Sequence, residues 1–316
     1  MNEPIQITLP TFDNSTVNVW LFLEPEPVLI DCGEKTDKAW QALQDGLHQH
    51  GIKVSDIKKI IITHAHIDHM GLANRITQHS DAMIYVSEYV YDWAVDLKTC
   101  LDKRTETIRK VFVANDKNLT QPLLFDYKML APYWDEIPKE RLVTFPMEGT
   151  LEFGGKEWEI IYAPGHCINQ TCFYQKETKQ FFSADALLKI FPIPIIDYQI
   201  QEQNQRTKSV PETIETFKKI LEMDIDVIYP GHWETIYNPQ EIIQNQINRV
   251  ERKTEAVYQL IKNGTHDFAT IYQHIYPKRV NPATRFMVVG FLDILLEQQR
   301  IEGKEEDGQL FYYTNG

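Results

Sequence analysis

The chain has 316 residues, 43% of them apolar, which is enough for one large domain and a small one around sizeable cores. Its 45 acidic against 32 basic residues give a formal charge of -13, which disfavours nucleic acid as a partner unless a local basic groove overrides the mean. No segment reaches the apolar length of a membrane span, the start Met1-Asn2-Glu3-Pro4 lacks signal-peptide character, and Cys32, Cys100, Cys167 and Cys172 form no CxxC pair, so the expected compartment is the cytoplasm with reduced thiols.

Taken in chain order, Val17 to Leu23 and Val28 to Ile30 flank the turn Glu24-Pro25-Glu26-Pro27 and predict a hairpin. Trp40, Leu43 and Leu47 fall at helical spacing within a helix over Asp37 to His50. The apolar run Ile60-Ile61-Ile62 reads as a buried strand, and it runs directly into His64-Ala65-His66-Ile67-Asp68-His69. Three imidazoles and a carboxylate are thereby gathered on one loop at a strand's carboxyl end, where layered α/β folds commonly place their chemistry.

Neighbouring residues on one loop cannot all converge on a single ion, so the cluster suggests two. His64 and His66 can point one way from an extended loop, while Asp68 and His69 fall on the turn into the helix that begins near Met70. Imidazole and carboxylate donors suit zinc, iron or manganese at sites left open to water. Taken singly, each of these residues also fits a surface histidine or a helix-capping Asp.

Another short strand is expected near Met83 to Val86. From about Glu88 to Arg141 the pattern turns helical and aromatic, with Tyr89, Tyr91, Trp93, Phe112, Phe125, Tyr127, Tyr133 and Trp134. These aromatics fit either a lid over a pocket or the ordinary core of inserted helices. Thr150 to Phe153, Trp158 to Tyr162, Thr171 to Gln175 and Gln180 to Ser183 then read as a second set of strands, with turns at Gly154-Gly155 and near Thr178.

A helix from Pro211 to Glu222 and a strand from Asp226 to Tyr229 complete the larger part. Helices over Glu241 to Lys262, Phe268 to Tyr276 and Pro282 to Arg300 follow, and then a hairpin near Gln309 to Tyr313. Three helices and a hairpin resemble a winged-helix module over 241–316.

If the His cluster is half of a metal site, its partners belong at other strand ends. Ala163-Pro164-Gly165-His166 and Tyr229-Pro230-Gly231-His232 both follow strands, with Pro stopping the strand and Gly permitting the turn, and Asp185 ends a third. Alone, each is weak; a His after a strand is commonly just hydrogen-bonded, and Asp185 can cap a helix. Together with the cluster they make a converging donor set. His48, His50, His79, His266 and His274 lack such context.

With these residues in this order, the chain resembles the metallo-β-lactamase superfamily over roughly residues 5 to 240. The resemblance implies an α/β fold, a four-layer αββα sandwich with the site at the edge of two sheets, here carrying a helical insertion at about 88–141. It implies that His64, His66 and His166 hold one divalent ion, zinc foremost, with iron or manganese as other fits. Asp68, His69 and His232 would hold a second, Asp185 would bridge the two, and Asp31 would support the site from behind.

A hydroxide shared by two ions would then attack a carbonyl or phosphorus, oriented by Asp68. The superfamily covers thioesterases, lactonases, β-lactamases, nucleases and phosphodiesterases, so fold alone leaves the substrate open. Two local departures weaken a thioesterase or lactonase assignment: Cys167-Ile168-Asn169-Gln170 follows His166 where a further Gly is frequent, and Leu72 follows Gly71 where a second Gly is frequent. The acidic run Glu305-Glu306-Asp307 on the expected wing argues against gripping phosphates. A small ester, lactone or thioester therefore ranks above RNA or another phosphodiester. A mononuclear iron oxygenase is the alternative from another reaction class.

Overall fold

The computed structural model describes residues 3–116, 127–200, 205–278 and 282–315. A six-stranded sheet takes the first part of the chain: β1 (Ile5–Pro10), β2 (Thr16–Phe22), β3 (Val28–Ile30), β4 (Lys59–Ile61), β5 (Met83–Ser87) and β6 (Leu142–Phe145), adjacent in that order. The first three strands pair antiparallel and β3 to β6 pair parallel. A second, five-stranded sheet runs in the order β11-β10-β9-β8-β7, with β7 (Thr150–Phe153), β8 (Lys156–Tyr162), β9 (Thr171–Gln175), β10 (Gln180–Ala184) and β11 (Val227–Pro230).

Why these two sheets face each other follows from their side chains. Trp20, Phe22, Val28, Ile30, Ile61 and Phe145 of the first sheet form one buried cluster with Phe153, Trp158, Ile160, Phe173, Phe182 and Tyr229 of the second. Strand residues alternate between faces, so the opposite faces carry their own apolar sets and each needs a cover. The first sheet is covered by α1 (Asp37–Gln49), α2 (Ile67–Met70), α3 (Ala73–Thr77), α4 (Glu88–Val95) and the start of α5 (Leu97–Asn115), in a cluster that includes Leu43, Ile60, Met70, Ile84 and Trp93. A short α6 (Tyr127–Leu130) adds Leu130 to that cluster.

On the far side, α7 (Ser209–Leu221) and the start of α8 (Pro239–Lys262) cover the second sheet through Phe217, Ile220, Ile243 and Ile247. The resulting layer order is helix, sheet, sheet, helix, as expected.

The chain closes with α9 (Phe268–Ile275), α10 (Pro282–Glu297) and the antiparallel pair β12 (Ile301–Glu306) and β13 (Gln309–Thr314). Their core is shared, because Ile108 and Phe112 of α5 and Val210 of α7 belong to one cluster with Val257, Phe268, Phe291 and Tyr312. The helix α5 thus joins the insertion to the last part of the chain, and Tyr312 Oη donates to Asn115 Oδ1 at 2.6 Å.

Strands β1 and β6 lie outside the expected elements, and the last helix ends at Glu297, short of Arg300, so that the hairpin starts at Ile301 instead of near Gln309. Of the aromatics, Phe112 and Trp134 are core, Trp134 also lining the cavity beside the strand ends, and Phe125 lies outside the described residues. No helix among the described residues is long and apolar enough to cross a membrane.

Candidate metal centre

Five strand ends meet where the sheets share an edge. Asp31 follows β3, His64 to His69 follow β4, His166 follows β8, Asp185 follows β10 and His232 follows β11. The backbone turns sharply at several of them: Asp31 sits at φ 60, Ala184 at φ 41, Gly165 at φ 136 and Trp233 at φ 63. Left-handed backbone at non-glycine residues is uncommon and costs energy, and it concentrates where function demands a particular side-chain direction.

Two donor clusters result. In the first, His66 Nδ1 stands 3.0 Å from His64 Nε2 and 2.8 Å from His166 Nε2. In the second, His232 Nε2 is 3.4 Å and His69 Nε2 is 3.7 Å from Asp68 Oδ2. Asp185 lies between them, with its oxygens 3.6 Å from His166 Nε2, 3.5 Å from His69 Nε2 and 3.2 Å from His232 Nε2. All seven residues singled out in the sequence are therefore brought together.

The partners behind the imidazoles fix which nitrogen faces inward. His166 Nδ1 donates to Ile193 O at 2.8 Å and His232 Nδ1 to Thr16 O at 2.5 Å. A carbonyl only accepts, so the neutral form of each ring leaves a lone pair on Nε2. Asp31 does the same for two rings at once: its Oδ2 accepts from His69 Nδ1 at 2.8 Å and from the Thr63 hydroxyl at 2.9 Å. With its proton committed to Asp31, Thr63 Oγ1 accepts from His64 Nδ1 at 3.0 Å, which again leaves Nε2 as a lone pair.

The two clusters differ electrostatically. Burial holds His64, His66 and His166 below the usual histidine range, so this trio is neutral. Burial also pulls down on His69 and His232, but the carboxylates around them outweigh it, Asp185 foremost, and raise them to about 10 and about 12. Burial pushes the other way on Asp68 and Asp185, yet the neighbouring imidazoles keep both carboxyls below their ordinary value.

The residues fit divalent metal ions. Three imidazole nitrogens face one another in the first cluster with at most one proton to share, and the buried His69 Nε2 and Asp185 Oδ1, 3.5 Å apart, make no well-formed hydrogen bond. A cation satisfies such converging lone pairs, whereas an ordinary polar core pairs them. Cys167 Sγ also lies within 4.8 Å of the first trio's donors. Burial pushes its thiol up, and it donates to Asn169 Oδ1 at 3.2 Å.

Several contributors gave little sequence signal. Thr63 adjoins the His cluster and was within reach of inference. Asn169, in the segment that departs from the usual Gly, accepts from the Ala65 amide at 3.2 Å and steadies the loop between His64 and His66. Arg104 comes from α5; its Nε donates to Asp197 at 2.8 Å and its guanidinium lies 4.1 Å over the ring of Trp93. His79, by contrast, packs against Trp40, His266 against Tyr313, and His274 bonds back to Thr270 O, all outside the centre.

The centre floors a cavity of about 540 Å³. Its walls are largely apolar, with Phe12, Leu101, Trp134, Leu188, Phe191 and Ile193 among them, while His66, Asp68, His166, Asp185 and His232 face it from below. This is the construction of a small-molecule site.

Known proteins share this chain's family and fold. The metallo-beta-lactamase superfamily is matched over residues 13–232. The chain is 23% identical to the probable metallo-hydrolase YqjP of Bacillus subtilis, over 99% of this chain and 98% of that one. It is also 23% identical to the atrochrysone carboxyl ACP thioesterase of Aspergillus fumigatus, over 51% of this chain and 52% of that one. Among solved structures, a metallo-beta-lactamase family protein from Thermus thermophilus superposes with a TM-score of 0.79 at 20% identity, covering 99% of this chain and 98% of that one. That likeness shows the fold, including the last helices and hairpin.

Proposed function

The chain belongs to the metallo-beta-lactamase superfamily, and from that premise we propose that it is a dinuclear metal-dependent hydrolase of a small ester, lactone or thioester. The observation that carries the reading is the junction at Asp185, whose carboxylate touches donors of both clusters at the floor of an apolar cavity. His64, His66 and His166 would hold one ion and Asp68, His69 and His232 the other, with Asp185 shared. Zinc suits this nitrogen and oxygen set best; iron and manganese are also accepted by it.

When bound, the two ions supply a water acidified into the neutral range and a polarised scissile bond. The chain's own groups do the rest. Asp68 lines the cavity and orients the attacking water, Asp31 and Thr63 lock the imidazoles behind it, and the apolar walls exclude bulk solvent from the acyl group. In this reading residues 1–240 are the catalytic unit, and 241–316 are a winged-helix-like module that buttresses α5. Glu305, Glu306 and Asp307 are exposed on the hairpin, which favours a small molecule over a polyanion. The four cysteines are unpaired and buried, in keeping with a reducing cytoplasm.

The test is metal analysis followed by a panel of thioesters, lactones, β-lactams, phosphodiesters and RNA on zinc- and manganese-loaded protein. Two ions per chain and chelator-sensitive turnover of acyl substrates are expected. Turnover confined to phosphodiesters or RNA refutes the acyl assignment. One iron per chain with oxygen consumption refutes hydrolysis and leaves the oxygenase.

A further inference from the structure

Glu34 is the cavity group that hydrolysis leaves unused. It follows Gly33 in the loop after β3, is wholly buried, and lines the cavity together with His66, Asp68 and His232. Apart from the Phe12 amide nearby, neither carboxylate oxygen has a hydrogen-bond partner among the described residues. Of the other buried atoms without a partner, His66 Nε2, His69 Nε2 and Asp185 Oδ1 belong to the donor clusters, and Arg104 Nη2 and Trp134 Nε1 on the cavity wall are donors, so Glu34 is the unpartnered acceptor of the described lining outside those clusters. A buried carboxylate with little compensation in an apolar wall is costly, and a neutral side chain would remove the cost of its charge. Burial and then the nearby Asp68 charge raise its carboxyl to about 7, with the Phe12 amide offsetting part of the rise and Asp13 adding to it.

The surroundings say what would satisfy it. Asp13 and Asp68 add negative charge beside Glu34, and Arg104, the one arginine among the described cavity residues, is committed to Asp197. A hydrogen-bond donor that also brings positive charge is the complement. Building on the hydrolytic reading, we propose that Glu34 is a specificity-determining contact for a protonated amine carried by the substrate close to its scissile acyl group, so that the preferred substrates are amino-bearing esters or thioesters. Charge-assisted hydrogen bonds are roughly twice as strong as neutral ones, so an ammonium should be preferred over a hydroxyl at this position.

Binding separates this inference from hydrolysis. Calorimetry on the full-length, zinc-loaded protein compares hexylamine with hexanol, which share an apolar chain and differ in the head group, in the native protein and in Glu34→Gln. The amine is expected to bind at least about tenfold more tightly than the alcohol to the native protein, with that preference lost in Glu34→Gln. Equal binding of the two, or a preference that survives Glu34→Gln, overturns the proposal whatever the panel of esters shows. Metal content is measured on both proteins: loss of an ion in Glu34→Gln makes Glu34 a metal ligand and overturns the proposal too.

If acyl substrates are turned over, the 4-nitrophenyl esters of norleucine and hexanoate extend the test. Their ratio of kcat/KM should fall by about tenfold in Glu34→Gln. An unchanged ratio in Glu34→Gln overturns the proposal, whereas no turnover of any acyl substrate in the wider panel with an intact amine preference refutes the hydrolytic reading and leaves the amine site standing.

Discussion

The tripeptide Pro-Gly-His occurs twice, after β8 and after β11, and the two copies end in opposite surroundings. His166 enters a trio of neutral imidazoles, is anchored on Ile193 O, and is held below its ordinary pKa by burial. His232 faces Asp185 and Asp68, is anchored on Thr16 O, and is raised to about 12 against the pull of burial. Even the glycines serve different ends. Gly165 has φ 136, and a Cβ there would stand 2.6 Å from Thr213 Cα of α7, whereas a Cβ at Gly231 would collide with Asp185 Oδ1 and stand 2.8 Å from His69 Cε1. The motif delivers an imidazole to a strand end; its neighbours decide what that imidazole is.

Removing the imidazoles is the strongest way to break the comparison. His166→Ala and His232→Ala should each lower the metal content from two ions to one, with losses of hydrolysis on the order of a thousandfold. Asp185→Asn should cost both ions, because it touches both clusters. Mass-spectrometric metal counting checks this, and loss of both ions from either histidine variant would show that the clusters do not bind independently.

Changing only the glycines sharpens it. Gly231→Ala should displace Asp185 and His69 and weaken metal affinity by about 10–100-fold, the effect typical of disturbing what orients a ligand. Gly165→Ala should act mainly on stability, by about 2–4 kcal/mol, through the strained φ and the clash with α7. Denaturant melts paired with zinc titration separate the two, and equal effects of both variants on both readouts would remove the distinction.

The smallest effect concerns Glu34, which lies on the side of the cavity where the His232 cluster sits. A carboxyl raised to about 7 from 4.5 takes up a proton on folding, so folding is penalised as the pH rises from about 4.5 through 7, and the penalty is constant above. Glu34→Gln should therefore stabilise the metal-free protein by about 2 kcal/mol at pH 8, a value reduced from the full shift because the cavity admits water. The gain should vanish below about pH 5. Urea melts across that range decide it; a gain independent of pH would place the cause outside the carboxyl's charge.

Much of the fold was legible because its signals are local. Apolar runs such as Ile60-Ile61-Ile62, the Gly154-Gly155 turn and the helical spacing of Trp40, Leu43 and Leu47 each announce their element within a few residues. Strand β1 escaped because Ile5-Gln6-Ile7-Thr8-Leu9-Pro10 is short and alternating, and it is fixed chiefly by pairing with β2. Strand β6 escaped because Leu142-Val143-Thr144-Phe145 is a brief run at the end of a helical stretch, placed by its pairing with β5.

By itself the sequence determined the candidate donors and their manner of presentation, since a dense His and Asp loop and two Pro-Gly-His turns carry their chemistry in adjacent residues. Only the tertiary structure decided their electrostatics and the isolation of Glu34. Ring orientation rests on the carbonyls of Thr16 and Ile193, which leave no mark in a sequence, and on Asp31, which reaches His69 across 38 residues. The charge on an imidazole depends on what lies within a few ångströms of it, and that distance is set by how two sheets pack.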